Sequence, residues 1–140
     1  MKRRAISVVA VIALLGTIAA PMVPVAAEGK SFSLMGLKDS PEASGMALLD
    51  GTHFSMTVSG LKPKAVYSVW FVNMQPTMAK EGVGTAPYAF TTDAKGQAKY
   101  DVTLTQSPLG KWQSIMIVRH PSGDPKDMNQ MADALMAKLM

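Results

Sequence analysis

The sequence predicts an all-β protein, an antiparallel β-sandwich that ends in a single C-terminal α-helix. Two observations lead to this fold class. Short runs of alternating polar and apolar residues recur between turns that contain Gly and Pro along most of the chain, a pattern typical of strands with one buried face. Only residues 125–139 change to the three- and four-residue spacing of an amphipathic helix.

The first 27 residues have the features of an export signal. Lys2, Arg3 and Arg4 precede an apolar stretch over residues 5–20, and small residues with two prolines follow. This order is typical of a secretory signal peptide. A retained membrane anchor is the alternative, but about 16 apolar residues fall short of the roughly 20 that a spanning helix needs. We therefore expect a signal peptide over residues 1–27 and a single domain over residues 28–140, located in the periplasm or secreted, without a stable membrane anchor.

Composition excludes several classes of function. The 140 residues include 14 Lys and Arg against 10 Asp and Glu, and no Cys. Three of the positive charges belong to the predicted signal peptide, which leaves the rest of the chain close to neutral. This balance gives no reason to expect nucleic-acid binding. Without cysteine, disulfides, thiolate metal sites and cysteine nucleophiles are all excluded.

The first half of the predicted domain consists of strands and short turns. Residues 31–34 alternate as a half-buried strand does. Asp50 and Gly51 separate two β-compatible runs, which predicts a hairpin closed by a type I′ turn. Residues 66–72 are the most apolar run, and they predict a strand in the centre of a sheet.

The second half begins with a long connection. Residues 73–87 contain several Gly and Pro breakers, and they predict an irregular loop of a length that is often functional. Residues 88–92 and 97–105 flank a turn at residues 93–96 and predict a second hairpin. Residues 111–119 predict the last strand.

The C-terminal segment carries the signals of a helix. Asp124 offers an N-cap, and Pro125 occupies a position that the first helical turn tolerates. Four apolar residues then recur at helical spacing, namely Met128, Met131, Leu135 and Leu139. We expect a helix over residues 125–139 that docks this apolar stripe on the sandwich.

Two segments resemble a known group of domains. Residues 45–72 (GMALLDGTHFSMTVSGLKPKAVYSVWFV) and residues 91–104 (TTDAKGQAKYDVTL) resemble small secreted Greek-key sandwiches. The pattern of strand, Gly-Leu-x-Pro and strand is similar to chordin-repeat-like domains, to the copper–zinc superoxide dismutase topology and to immunoglobulin-like envelope modules. The resemblance implies a Greek-key, immunoglobulin-like fold. Dismutases place metal-ligand histidines after this turn, but residues 66–70 contain none, so dismutase chemistry is not implied.

Methionine is the unusual residue, with 12 in the chain and 10 outside the predicted signal peptide. Thioethers are soft ligands that suit Cu(I). Two candidate copper clusters each combine one histidine with two methionines, the first His53, Met74 and Met78, the second His120, Met128 and Met131. Because consecutive strands alternate in direction, the two clusters are expected at opposite ends of the sandwich. The alternative is that the methionines only pack in the core or on the surface, and then no cofactor is expected.

No catalytic arrangement is evident in the sequence. No serine lies in a Gly-x-Ser-x-Gly motif, and the acidic residues are mostly scattered singly. The predicted function is a non-enzymatic module of the bacterial cell envelope, which contacts an envelope or extracellular protein through residues 73–87. The alternative is a periplasmic copper-binding protein that uses Met and His ligands.

Overall fold

A computed structural model of the protein describes residues 29–139. The predicted signal peptide, residues 1–27, lies outside the described residues. The described residues form nine strands: β1 (Lys30–Gly36), β2 (Ser44–Asp50), β3 (His53–Ser59), β4 (Val66–Asn73), β5 (Ala79–Gly82), β6 (Ala89–Thr91), β7 (Ala98–Thr103), β8 (Ser114–Arg119) and β9 (Ala132–Lys138).

The strands form one curled antiparallel sheet of sandwich- or barrel-like shape. Neighbouring strands follow the order β5-β4-β8-β9-β1-β2-β3-β7, and β6 also pairs with β4. The all-β antiparallel prediction is therefore confirmed. Strand β4 pairs with β8 along one edge, while β5 and β6 share its other edge, which confirms its predicted central position. Residues 29–139 include no helix with the length and hydropathy of a membrane span.

The predicted C-terminal helix over residues 125–139 is wrong. Seven of its fifteen residues form strand β9, which lies between β8 and β1 and pairs with both. Leu135, Ala137 and Leu139 alternate toward the core and are buried, so the same residues also satisfy the two-residue period of a strand. Intrinsic helix propensity is a weak preference, and pairing with two neighbouring strands overrides it. The N-cap signal at Asp124 marks a turn instead, in which the Asp127 amide donates to the Asp124 carbonyl over 3.0 Å.

The hairpin predicted at Asp50 and Gly51 is confirmed, but its turn type is not I′. Asp50 pairs with His53, so Gly51 and Thr52 form a two-residue loop. Gly51 has a φ of 62°, whereas Thr52 is not in the left-handed region. Positive φ at only the first central residue is the pattern of a type II′ turn. The loop, Gly51 and Thr52, therefore lies one residue later in the chain than the predicted turn at Asp50 and Gly51.

The segment over residues 73–87 is more ordered than predicted. Strand β5 lies within it and pairs with the end of β4, from Trp70 opposite Gly82 to Asn73 opposite Ala79. The irregular part therefore begins with a short connection at residues 74–78. This pairing holds both ends of that connection against β4.

The core lies on the concave side of the curled sheet. Tyr67, Val69 and Phe71 alternate inward from β4, and each is at most 3% exposed. One aromatic contact joins strands that are not neighbours in the sheet, since Phe71 of β4 meets the Phe54 ring of β3 edge-on with centroids 6.1 Å apart. Within the paired strands β4 and β6, Tyr67 stacks on Phe90 at 5.5 Å. Such contacts add to the hydrophobic free energy of burial.

Candidate functional site

The outer face of the sheet carries a row of methionines. Trp70 of β4 pairs with Met116 of β8, Met116 with Met136 of β9, and Met136 with Met35 of β1. Directly paired residues of an antiparallel sheet point to the same face. Trp70, Met116 and Met136 are only partly buried and Met35 is 68% exposed, so this face is accessible to other molecules.

One part of this face is an open groove of about 500 Å³, here called the methionine groove. Ten residues line it: Trp70, Val72, Met74, Met78, Ala79, Lys80, Met116, Val118, Met131 and Asp133. Four of them are methionines, and they come from three separate segments of the chain. An adjoining depression of about 420 Å³ shares Met74 and adds Met136.

The connection that follows β4 is anchored by two amide side chains. Asn73 Nδ2 donates to the Lys111 carbonyl over 3.0 Å, and Asn73 Oδ1 accepts from the Gln113 amide over 2.8 Å. Gln113 Oε1 in turn accepts from the Met74 amide over 2.7 Å. These bonds attach the connection to the segment that enters β8. They fix the backbone of Met74 at the rim of the groove.

Trp70 is the only aromatic side chain among the described residues that line the groove. Its ring meets Tyr88 edge-on with centroids 5.3 Å apart. The Lys80 ammonium lies 5.4 Å from the centroid of the Trp70 ring, a distance suited to a cation–π contact. Asp133 adds one carboxylate to the groove wall. The groove therefore combines a mainly apolar surface with one cation and one anion.

A hydrogen-bonded chain lies directly beside the groove. The Trp70 indole N–H donates to Ser68 Oγ over 2.7 Å, and Ser68 Oγ lies 2.7 Å from His120 Nε2. His120 Nδ1 lies 3.2 Å from the Asp127 carbonyl, which can only accept. Nδ1 therefore carries a proton, and in the neutral imidazole Nε2 accepts from the Ser68 hydroxyl.

Ser68 and His120 have the spacing of a nucleophile and a general base, but neither side chain is accessible to a substrate. Ser68 has 0% and His120 2% exposed surface. A nucleophile must reach its substrate, and here the Ser68 oxygen is enclosed and already bonded to Trp70. The pair ties β4 to the connection between β8 and β9. The pair is not evident in the sequence because its members are 52 positions apart.

The structure places the first predicted cluster in two locations. Met74 and Met78 line the methionine groove. His53 lies on β3, where its Nε2 is 2.7 Å from Asp101 Oδ1 and both side chains are more than half exposed. His53 is not among the residues that line the groove.

The second predicted cluster is also divided. His120 is buried in the hydrogen-bonded chain, Met128 is 38% exposed, and Met131 lines the groove. Met131 thus lies with Met74 and Met78, although the sequence analysis expected them at opposite ends. The difference follows from the C-terminal segment, which enters the sheet beside β8 as a strand.

The described methionines lie mostly outside the core. Met56 is buried, and no other methionine within residues 29–139 is. Packing in the core therefore accounts for Met56 only. Met116 was not among the predicted ligands, although the inward-facing Ile115 and Ile117 on either side place it on the outer face.

A doubly hydrogen-bonded ion pair adjoins the groove, where the Asp39 amide donates to the carbonyl of the groove residue Asp133 over 3.1 Å. Arg119 donates two hydrogen bonds to the Asp39 carboxylate, over 2.8 and 2.9 Å, with side chains 20% and 11% exposed. The hydrogen bond from Arg119 holds the pKa of Asp39 below its usual value, although partial burial opposes that shift. The pair of Asp39 and Arg119 connects the turn after β1 to β8. Burial also raises the pKa of the Tyr67 hydroxyl.

No group of three or more His, Asp or Glu side chains within residues 29–139 is placed to hold a metal ion. No protein-family model, no curated protein and no solved structure matches this chain. The resemblance to secreted Greek-key domains is supported only at the level of an all-β antiparallel architecture.

Proposed function

We propose that the protein is a non-enzymatic binding module of the bacterial cell envelope, which contacts a protein or other envelope partner through the methionine groove. One observation carries the proposal, an open groove lined mainly by apolar side chains, in which Met74 is 52% and Met78 70% exposed. Exposed apolar surface of this kind is typical of interaction sites. Methionine is unbranched and flexible, so such a surface adapts to its ligand.

The proposal also includes the cellular location of the protein and its structural relationship to other domains. The charged start, apolar stretch and small-residue end of residues 1–27 support export to the periplasm or the medium. The Gly-Leu-x-Pro pattern supports kinship with small secreted Greek-key modules. The near-neutral charge of the rest of the chain gives no support to a nucleic-acid partner.

The proposed contact surface only partly overlaps the predicted loop over residues 73–87. Met74, Met78, Ala79 and Lys80 belong to the segment over residues 73–87 and line the groove. The rest of the groove comes from β4, β8 and the region of Met131 and Asp133. A partner that enters the groove therefore touches both this segment and the outer face of the sheet.

Site-specific photo-crosslinking in living cells tests this function. A photoreactive amino acid replaces Met78 in one variant and Met46 in a matched control, because Met46 is 48% exposed on β2 and does not line the groove. We expect a crosslinked product of one defined mass from position 78 and none from position 46. Equal products from both positions, or none from position 78, would contradict the groove as the contact surface.

Copper binding is the second candidate function. The observation that favours it is the presence of four thioethers in one groove. The ligands would differ from both clusters that the sequence analysis proposed, since they combine methionines of each and add Met116.

A further inference from the structure

We propose that the methionine groove binds one Cu(I) ion through the thioether sulfurs of Met74, Met78, Met116 and Met131. The inference rests on the proposed function in one respect, that this groove is the binding surface. The four residues come from the connection after β4, from β8 and from the residue before β9. Thioethers are soft ligands that select Cu(I) over harder ions.

Packing does not explain why these four methionines share one groove. Met78 is 70% and Met74 52% exposed, so neither fills a space in the core. Met116 and Met131 are partly buried and line the same groove. The several rotatable bonds of each methionine allow its sulfur to turn toward a common ion.

The other polar groups of the groove do not form a site for a hard cation. Calcium and magnesium need several oxygen ligands, and among the described residues only Asp133 brings a carboxylate to the groove. Its negative charge offsets that of Lys80, which lies over the Trp70 ring. The chemistry of the groove therefore favours a soft, singly charged ion.

The imidazoles that Zn²⁺ and Cu²⁺ prefer are engaged elsewhere. His53 Nε2 lies 2.7 Å from Asp101 Oδ1. Both ring nitrogens of His120 are occupied, by Ser68 and by the Asp127 carbonyl. A thioether site for Cu(I) thus uses only groups that the fold leaves accessible.

The direct test observes the methionine methyl groups. The purified protein carries ¹³C-labelled methionine methyls and is titrated with Ag(I), a soft ion that does not change oxidation state under these conditions. We expect the signals of Met74, Met78, Met116 and Met131 to shift together and to saturate at one ion per chain. The signals of three exposed methionines outside the groove should stay in place, namely Met35, Met46 and Met128. Equal shifts of both sets would overturn the assignment.

A matched pair of variants then measures affinity. One replaces three groove ligands (Met74→Leu, Met78→Leu and Met131→Leu), and the control replaces three methionines outside the groove (Met35→Leu, Met46→Leu and Met128→Leu). Leucine keeps the volume and removes the sulfur. Under competition with a Cu(I) chelator, we expect the unmodified protein to bind with a Kd below about 1 µM, the groove variant at least about tenfold more weakly, and the control about as tightly as the unmodified protein.

Several results would overturn the copper site. These are a Kd no tighter than micromolar in the unmodified protein, an equal loss in the control, or a loss on His53→Ala with none in the groove variant. Failure of this inference is distinguishable from failure of the proposed function. Crosslinking from position 78 without Cu(I) binding removes the copper site and leaves the binding module. Cu(I) binding without crosslinking removes the envelope partner and leaves the metal site.

Discussion

The two faces of strands β4, β8 and β9 differ in chemistry although the same short segments of chain build both. An inner row of directly paired residues runs across the three strands: Val69, Ile117 and Leu135. Each of these is 0% exposed. The outer row, one position along each strand, consists of Trp70, Met116 and Met136, and all three are partly exposed.

If the proposed function holds, the inner face of these strands supports stability and the outer face supports binding. β-branched residues such as Val69 and Ile117 have few rotamers and suit a closely packed interior. Met116 and Met136 have flexible side chains, so they can adopt new conformations when a ligand changes their surroundings. Substitutions on the inner face should therefore change the free energy of unfolding, and those on the outer face should change binding.

The largest expected effect comes from the inner row. Leu135→Ala removes a completely buried side chain and should lower the free energy of unfolding by about 2–5 kcal/mol. The outer-row neighbour supplies the control, since Met136→Ala should cost about 1 kcal/mol or less. Urea unfolding followed by tryptophan fluorescence measures both. Equal losses would show that the outer row is part of the core and would end the comparison.

A smaller effect is expected where the outer side of β4 is covered. Ser68→Ala removes the hydroxyl between Trp70 Nε1 and His120 Nε2, so a buried polar group loses its partner at a cost of about 1–3 kcal/mol. Ser114→Ala is the control, because Ser114 is also buried but its hydroxyl makes a single long bond of 3.4 Å to the Val72 carbonyl. Thermal unfolding should separate the two variants. A Ser68→Ala midpoint no lower than that of Ser114→Ala would contradict the role of the hydrogen-bonded chain.

The third effect depends on pH. Asp39→Asn breaks the pair with Arg119 and should cost about 1–2 kcal/mol at pH 7, since the pair is partly exposed. Because folding lowers the pKa of Asp39, the folded state binds fewer protons than the unfolded state. The contribution of the pair is complete above about pH 4 and is lost as the pH falls further.

Urea unfolding at pH 7 and pH 3 measures this dependence. The difference between the unmodified protein and Asp39→Asn should shrink at pH 3. The exposed Glu42 supplies the control, since Glu42→Gln should show little difference at either pH. A constant difference for Asp39→Asn would rule out the ion pair as its cause.

The smallest expected effect is in the groove. Met78→Leu should change the free energy of unfolding by less than about 0.5 kcal/mol, because Met78 is mainly exposed. The same urea unfolding experiment applies. A loss comparable to that of Leu135→Ala would show that the groove is needed for folding, and the two faces would no longer be separable.

Local patterns in the sequence determined much of the fold. Alternation over residues 53–59 fixed which side chains of β3 face the core, and Gly51 determined where the first hairpin turns, since it alone in that loop adopts a positive φ. The apolar run of β4 placed it in the centre of the sheet. These features depend on residues that are close in the chain, so a pattern read along the sequence contains them.

Only the tertiary structure decided the identity of β9 and the membership of the groove. Residues 132–139 satisfy both the helical and the strand period, and the choice between them depends on the unpaired edges of β8 and β1, which the segment does not encode. Once β9 enters the sheet, Met131 lies beside Met74 and Met78, and His120 meets Ser68 across 52 positions. Contacts between such distant residues arise from strand register and sheet order, so no local pattern could have specified them.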